Sequence, residues 1–152
     1  MSAELDLHSQ VILTSGIDIV TVFDDTPQVS AIIDTESDNG YYSLEFLTVT
    51  GTFDQPAATF SVVVEHGDDA ALADAQFVDP QFLLPTPTDT TIAYQVASFT
   101  GADVNTQRRI GYIGKKRYVR YTVIPAGNDA AAVFTVVAML GNPRTLPTGE
   151  NQ

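Results

Sequence analysis

The sequence predicts an all-β fold: a single-domain antiparallel β-sandwich of about eight strands, of which a jelly roll is one form. Short runs of β-branched and aromatic residues are separated by Gly, Pro, Asn and Asp, which is typical of strands joined by turns. A helical apolar period is nearly absent. The length of 152 residues suits one core, and without cysteine neither a disulfide nor a thiolate metal site supports it.

The elements follow from the apolar runs in chain order. The predicted strands are 17–23, 29–33, 42–50, 58–65, 91–99, 108–113, 117–124 and 131–140. Ala and Asp residues after Gly67 favour one or two helical turns over 68–75. Three prolines in 79–90 indicate a long connection that crosses from one sheet to the other. We expect an N-terminal arm over about 1–14 and an extended tail over about 142–152.

Charge is distributed unevenly along the chain. Residues 1–107 contain seventeen acids and no base, whereas 108–152 contain all seven bases and two acids, which gives the net charge of −12. An acidic surface of one copy can therefore meet the basic third of the next. The negative charge opposes nucleic-acid binding.

The chain has no apolar run long enough for a membrane helix, and Glu4 and Asp6 lie where a secretory signal would be basic, so we expect synthesis in the cytoplasm and no membrane partner.

The most specific local pattern is RIGYIGKKRYVRY over 109–121. A two-residue turn at Gly114 and Lys115 predicts a hairpin in which Arg109 faces Arg120. This register sends one set of side chains to the core: Ile110, Tyr112, Val119, Tyr121 and Val123. Paired like charges need a carboxylate over them. Either a neighbouring subunit supplies it, or the same chain does, for example through Glu45.

These bases are the predicted partner-binding residues. They are Arg109, Lys115, Lys116, Arg117 and Arg120 of the hairpin, and Arg144 at the start of the tail. Their tyrosine-interleaved pattern could also suit single-stranded nucleic acid, but the net charge disfavours that partner.

The same region resembles a known family. The run IGYIGKKRYVRYTV is followed by a Gly-Asn turn, the strand AAAVFTVVAMLG and the tripeptide NPR. Upstream, YSLEF at 42–46 and Gly51-Thr52 occur in the corresponding order. This arrangement is similar to that of small virion proteins encoded beside the major capsid genes of tailed bacteriophages, over most of residues 30–145.

The resemblance implies a β-sandwich on the outer surface of a phage capsid. Its role would be that of a decoration or cement protein, whose partner is the major capsid protein and which stabilises the assembled shell by mass action. We expect a homo-oligomer, with a trimer matching the threefold positions of an icosahedral shell. A head-tail connector or a tail component is an alternative, which would bind other virion proteins through the same kinds of contact. A second class is a β-sandwich that binds carbohydrate or a host surface; the chain has no Trp, but Tyr41, Tyr42 and Tyr94 could serve there.

No motif predicts an enzyme or a cofactor. The two histidines, His8 and His66, are isolated, and no nucleophile, phosphate-loop or metal spacing occurs. His66 with Asp68 and Asp69 could form an acid–base site, but adjacent carboxylates after Gly67 are typical of a turn or a helix start.

One segment has the spacing of a calcium loop. It places acids at Asp34, Glu36, Asp38 and Glu45. Its sixth position is Asn39 where the loop needs Gly, so a solvated acidic turn is favoured and no metal is expected.

Overall fold

The computed structural model describes residues 7, 10–37, 40–85 and 95–144, which form two antiparallel sheets packed face to face. The predicted all-β sandwich is confirmed. Helical structure in this part of the chain is limited to 3₁₀ geometry at Gln10 and a 3₁₀ turn at Pro80–Phe82, and no helix there could span a membrane. The strands are β1 (Val11–Val22), β2 (Gln28–Val29), β3 (Ile33–Asp34), β4 (Tyr41–Phe53), β5 (Thr59–Gly67), β6 (Gln76–Phe77), β7 (Leu83–Leu84), β8 (Ala97–Thr100), β9 (Gln107–Tyr112), β10 (Tyr118–Ala126) and β11 (Ala132–Pro143).

The two sheets interleave early and late parts of the chain. The five-stranded sheet has the order β1-β11-β4-β9-β7. In the six-stranded sheet β10 and β5 are central, with β2 and β3 beside β10 and with β6 and β8 beside β5. The segment after β6 crosses to the five-stranded sheet, as predicted for 79–90, but this range is not a plain connection, because it contains the 3₁₀ turn and β7. Residues 86–90 lie outside the described residues.

Strand alternation sends every second side chain between the sheets. Along β11 the inward residues are buried and their neighbours are partly exposed. The largest fully buried side chains include Phe46, Phe60 and Phe134. The Phe60 and Phe99 rings stack with their centroids 4.9 Å apart, and Phe46 lies 5.0 Å from Tyr121 of the opposite sheet. The core is therefore aromatic and β-branched.

The predicted hairpin at Gly114 and Lys115 is wrong. β9 pairs with β4 in the five-stranded sheet, whereas β10 pairs with β5 in the six-stranded sheet, so Arg109 does not face Arg120. Residues 113–117 instead connect the two sheets. The side-chain assignment survives because burial depends only on alternation: Ile110, Tyr112, Val119, Tyr121 and Val123 are all buried.

Tyr112 explains why this loop crosses instead of turning back. Its hydroxyl accepts a hydrogen bond from the Lys116 N–H at 3.1 Å, which holds the loop over the ring. A Cβ on Gly114 would lie 2.4 Å from the ring, so glycine is needed here for close approach to an aromatic side chain.

The helix predicted over 68–75 is also absent. The Asp74 carboxylate accepts hydrogen bonds from the N–H groups of Asp68 and Asp69, at 2.9 and 3.1 Å. Leu72 has a positive φ of 54° and is buried. Short acidic side chains compete with helical hydrogen bonds in this way, and a compact turn results.

The termini also differ from the predicted arms. Residues 11–14, assigned to the N-terminal arm, belong to β1 and pair with β11. Pro143 pairs with Tyr41, and the Arg144 N–H donates to the Gly40 carbonyl at 2.9 Å, so β11 extends into the predicted tail. The remainder of both predicted termini, apart from Leu7 and Gln10, lies outside the described residues.

Candidate functional site

A groove lies on the outer face of the six-stranded sheet, and we call it the outer groove. Its volume is about 520 Å³, within the range of ligand sites in proteins. The side chains that line it come from the outward positions of four strands and are mostly apolar. They are Val29, Ser61, Val63, Glu65, Phe77, Arg120, Thr122, Ile124 and Ala126.

Strand register fixes where each of these side chains stands. Arg120 pairs with Glu65, which in turn pairs with Phe77, so these three form one row across β10, β5 and β6. The next row contains Thr122 and Val63, with Val29 beyond. Because alternate residues of a strand share a face, the rows lie side by side and form one surface.

The floor of the groove is apolar and sheltered. Val63 and Thr122 point outwards from the core, yet each is only 8% exposed. The walls are more open, since Val29 is 53%, Phe77 43% and Ile124 37% exposed. A ligand lying here would cover apolar surface that now contacts water.

The polar end of the groove is the ion pair between Arg120 and Glu65. Arg120 donates from Nε and Nη2 to one carboxylate oxygen, Oε2 of Glu65, at 3.0 and 2.7 Å. The second oxygen of Glu65 has no hydrogen bond from a described residue, and the Nη1 group of Arg120 has no described acceptor. The pair therefore presents both a donor and an acceptor to the groove while its net charge is zero.

Backbone groups of the floor are already used. β5 pairs with β10 along its whole length, and its other side is occupied by β6 and β8. An extended peptide cannot add itself to β5 as a further strand, so recognition in the groove depends on side chains.

The structure distributes the predicted basic residues over both sheets and the loop between them, and gives most of them acidic neighbours. Six of the seven bases form ion pairs with carboxylates from residues 1–107. The pairs are Arg108–Asp103, Arg109–Glu45, Lys116–Asp68, Arg117–Asp34, Arg120–Glu65 and Arg144–Glu36, with Arg117 also near Glu36. Lys115 has no such pair among the described residues. Of the two sources of negative charge considered for Arg109, the same-chain carboxylate Glu45 is observed.

Arg117 and Arg144 converge on one acidic turn. Arg117 donates to both oxygens of Asp34, at 2.8 and 2.9 Å. This guanidinium lowers the pKa of Asp34, and Asp34 in turn raises the pKa of Arg117. Arg144 contacts Glu36 at 3.3 Å and lies over the Tyr42 ring at 5.3 Å. Whether these bases also bind a partner stays a prediction.

The other candidates from the sequence are dispersed. Asp34 lies in the six-stranded sheet and Glu45 in the five-stranded one, and no three potential ligands cluster among the described residues; Asp38 lies outside them. The Nδ1 atom of His66, a half-buried residue, lies 2.8 Å from the hydroxyl oxygen of the buried Tyr112. Burial is the main cause of the lowered pKa of His66 and of the raised pKa of Tyr112, which is about 12.

Of the tyrosines proposed for a carbohydrate site, the two that the structure describes, Tyr41 and Tyr42, do not share a surface. Tyr41 is buried in the core, Tyr42 is exposed beneath Arg144, and Tyr94 lies outside the described residues. The aromatic residue of the outer groove is Phe77, which the sequence reading left in an unassigned loop. Its strand has two residues, too short for any alternation signal.

Comparisons with known proteins find likeness in fold alone. No family model matches the chain, and no curated protein matches it in sequence. Solved β-sandwich structures are similar at low scores. A family 29 carbohydrate-binding module from Piromyces equi has 11% identity and a TM-score of 0.40, covering 87% of this chain and 92% of that one. A xylan-binding module, CBM15, has 8% identity and a TM-score of 0.37, covering 91% and 95%.

An adhesin domain gives a likeness of the same order. The K1 cleaved adhesin domain of Lys-gingipain from Porphyromonas gingivalis W83 has 11% identity and a TM-score of 0.37, covering 93% of this chain and 89% of that one. The shared feature is the general sandwich architecture, and no ligand is transferred from it.

Proposed function

We propose that this chain is a non-catalytic recognition module that binds a neutral saccharide in the outer groove. The observation that carries the proposal is the row formed by Arg120, Glu65 and Phe77 beside an apolar floor. A mostly apolar concavity with a few convergent polar groups is the usual form of a small-ligand site.

The chemistry of the row matches a sugar ring. A saccharide has an apolar C–H face, which suits Phe77 and Val63, and vicinal hydroxyls that both donate and accept hydrogen bonds. Arg120 offers donors and Glu65 offers an acceptor, at adjacent positions on neighbouring strands. Since the charges of this pair cancel while the chain has a net charge of −12, a neutral sugar is favoured over an acidic one.

The groove is not built for hydrolysis. Glycoside hydrolysis generally uses two carboxyl groups on opposite sides of the scissile bond. Among the described residues that line the groove only Glu65 has a carboxylate, and it is held by Arg120. This arrangement supports binding without turnover.

A glycan array followed by calorimetry tests the proposal. We expect Phe77→Ala to weaken binding of a neutral glycan about tenfold or more, because it removes the aromatic face. Tyr42→Ala is the matched control, since Tyr42 is an exposed aromatic residue outside the groove. If no neutral glycan binds the parent, or if both variants bind equally, the groove is not a saccharide site.

A structural role on a virion is the second candidate. The observation that favours it concerns Lys115. This residue is exposed on the loop between the sheets and has no same-chain ion pair among the described residues. An acidic surface of a partner could therefore bind it. Co-sedimentation of the purified chain with empty phage capsids tests this role. Binding to capsids without binding to glycans would favour decoration, with the major capsid protein as partner; the reverse result would favour the recognition module.

A further inference from the structure

The outer face of the five-stranded sheet carries aliphatic side chains on four of its five strands, with Glu45 and Arg109 between them. Register places Leu13 beside Met139 in one row and Val137 beside Leu47 in the next, with Val49 following on β4. Leu84 on β7 extends this surface at the opposite edge. Leu13 is 62% and Leu84 51% exposed, and the central members are half-buried. We call Leu13, Leu47, Val49, Leu84, Val137 and Met139 the aliphatic face.

This face carries little charge in a strongly acidic chain. The outward positions of β4, β9 and β11 carry one acid, Glu45, and one base, Arg109, and the edge strand β1 adds one exposed acid, Asp18, which is hydrogen-bonded to Ser15. Most of the excess negative charge must therefore lie elsewhere, since the whole chain has a net charge of −12. A second acidic molecule meets the least repulsion on this face.

The ion pair on the face is loosely held. Arg109 contacts Glu45 through Nε at 3.4 Å, a long distance for an ion pair, and its side chain is 68% exposed, more than that of any other ion-paired base in the described residues. Arg120, by comparison, makes two shorter hydrogen bonds to its carboxylate. The guanidinium of Arg109 is therefore available for a carboxylate on a facing surface.

We propose that the aliphatic face packs against the same face of a second copy of this chain, related by a twofold axis. Under that symmetry Arg109 of each copy approaches Glu45 of the other, so the face is complementary to itself in charge as well as in apolar character. Sheets with apolar surfaces generally pack face to face at a spacing of about 10 Å. The expected assembly is a dimer, not the trimer expected from the sequence.

Salt should strengthen this dimer. Each copy has a net charge of −12, and that repulsion is screened over about 10 Å at 0.1 M salt, whereas apolar contact is not weakened by salt. Analytical ultracentrifugation of the full chain across a range of NaCl concentrations measures the dimer dissociation constant, which should fall as salt rises.

Variants of the face test its role directly. Leu47→Lys should raise the dissociation constant by about 100-fold, because it places a charge at the centre of an apolar contact. The matched control is Ile124→Lys, which alters the outer groove and should leave the dimer intact. Arg109→Glu and Glu45→Arg should each weaken the dimer, and the double exchange should restore it. Circular dichroism and thermal melting establish that each variant is folded.

The outcomes separate this proposal from the saccharide proposal. A parent chain that stays monomeric at every salt concentration, an odd-numbered oligomer, or a Leu47→Lys variant that dimerises normally would each overturn the dimer. A folded exchange variant that does not recover dimerisation would overturn the twofold charge pairing. Loss of glycan binding in Ile124→Lys together with normal dimerisation is expected if both proposals hold. A dimer that binds no glycan would refute the groove alone.

Discussion

A buried hydrogen bond between the two sheets provides a quantitative test of how the core is held. The Thr48 and Tyr121 hydroxyl oxygens lie 2.7 Å apart, one from each sheet, and both residues are almost fully buried. Burial raises the pKa of Tyr121 well above its usual range, so the phenol stays neutral under ordinary conditions. Neither hydroxyl has another hydrogen-bond partner among the described residues.

Removing one partner should cost more than removing both. Tyr121→Phe keeps the ring beside Phe46, deletes one net hydrogen bond and leaves the Thr48 hydroxyl buried and unpaired. We expect a loss of about 2 kcal/mol in the free energy of unfolding, and a similar loss for Thr48→Val. The double variant contains no orphaned hydroxyl, so its loss should be about 1 kcal/mol, well below the sum of the single losses.

Urea unfolding of the four chains in the cycle measures the effect. The midpoints should shift while the slope with urea stays constant, because the surface exposed on unfolding is unchanged. If the sum of the two single-variant losses in unfolding free energy equals the loss in the double variant to within about 0.5 kcal/mol, the two hydroxyls do not interact in the folded state, and the reasoning fails.

Three further outcomes can be tested on the same chain. His66, which lies beside Tyr112, has a pKa lowered mainly by burial from an ordinary value of 6.5. The folded state favours neutral His66, so its contribution to the free energy of unfolding is complete above pH 6.5 and is lost as the pH falls through the lowered pKa. In a His66→Gln variant the urea midpoint should therefore change less with pH between pH 5 and 7, about where histidine titrates. Gly101→Ala should lower the thermal midpoint sharply, at a cost of about 3 kcal/mol, because its Cβ would lie 1.8 Å from the Gln55 carbonyl oxygen. Lys115→Glu should melt like the parent, since no described carboxylate pairs with it, but should bind capsids less well if the virion role holds; unchanged capsid binding would remove Lys115 from that interface.

Local patterns predicted the long strands well because alternation and turn residues are properties of neighbouring positions. The strand predicted at 131–140 is Ala132–Pro143, and that predicted at 58–65 is Thr59–Gly67. The two-residue strands β6 and β7 were missed because they are defined by their partners and not by their own periodicity. The start of β1 was missed although the run VILT from Val11 to Thr14 did contain a strand signal.

Strand partners could not be predicted from the same patterns. Gly114 and Lys115 are suitable for a tight turn, and a hairpin is the simplest arrangement of two strands so closely spaced in sequence. The choice of partner depends on contacts that are distant in sequence, such as Arg120 with Glu65, which are 55 residues apart. The outer groove combines such distant residues, so its polar row could not be seen in the sequence although Arg120 was singled out.

Ion pairs between distant strands account for the uneven distribution of charge along the sequence. Acids in early strands have no base nearby in sequence, so their bases come from late strands: Glu65 faces Arg120 directly, and Asp34 of β3 binds Arg117 next to β10. A slip of one residue between β5 and β10 would turn Arg120 towards the opposite face from Glu65 and would leave both charges without a partner. Segregating the bases in this way favours the non-local register and disfavours local mispairing, although each exposed pair adds at most about 1 kcal/mol. The uneven distribution of charge first suggests attraction between molecules, but most of the bases pair with acids of their own chain. Each of the two surfaces that we propose for association contains one such pair, Arg120–Glu65 in the outer groove and Arg109–Glu45 on the aliphatic face.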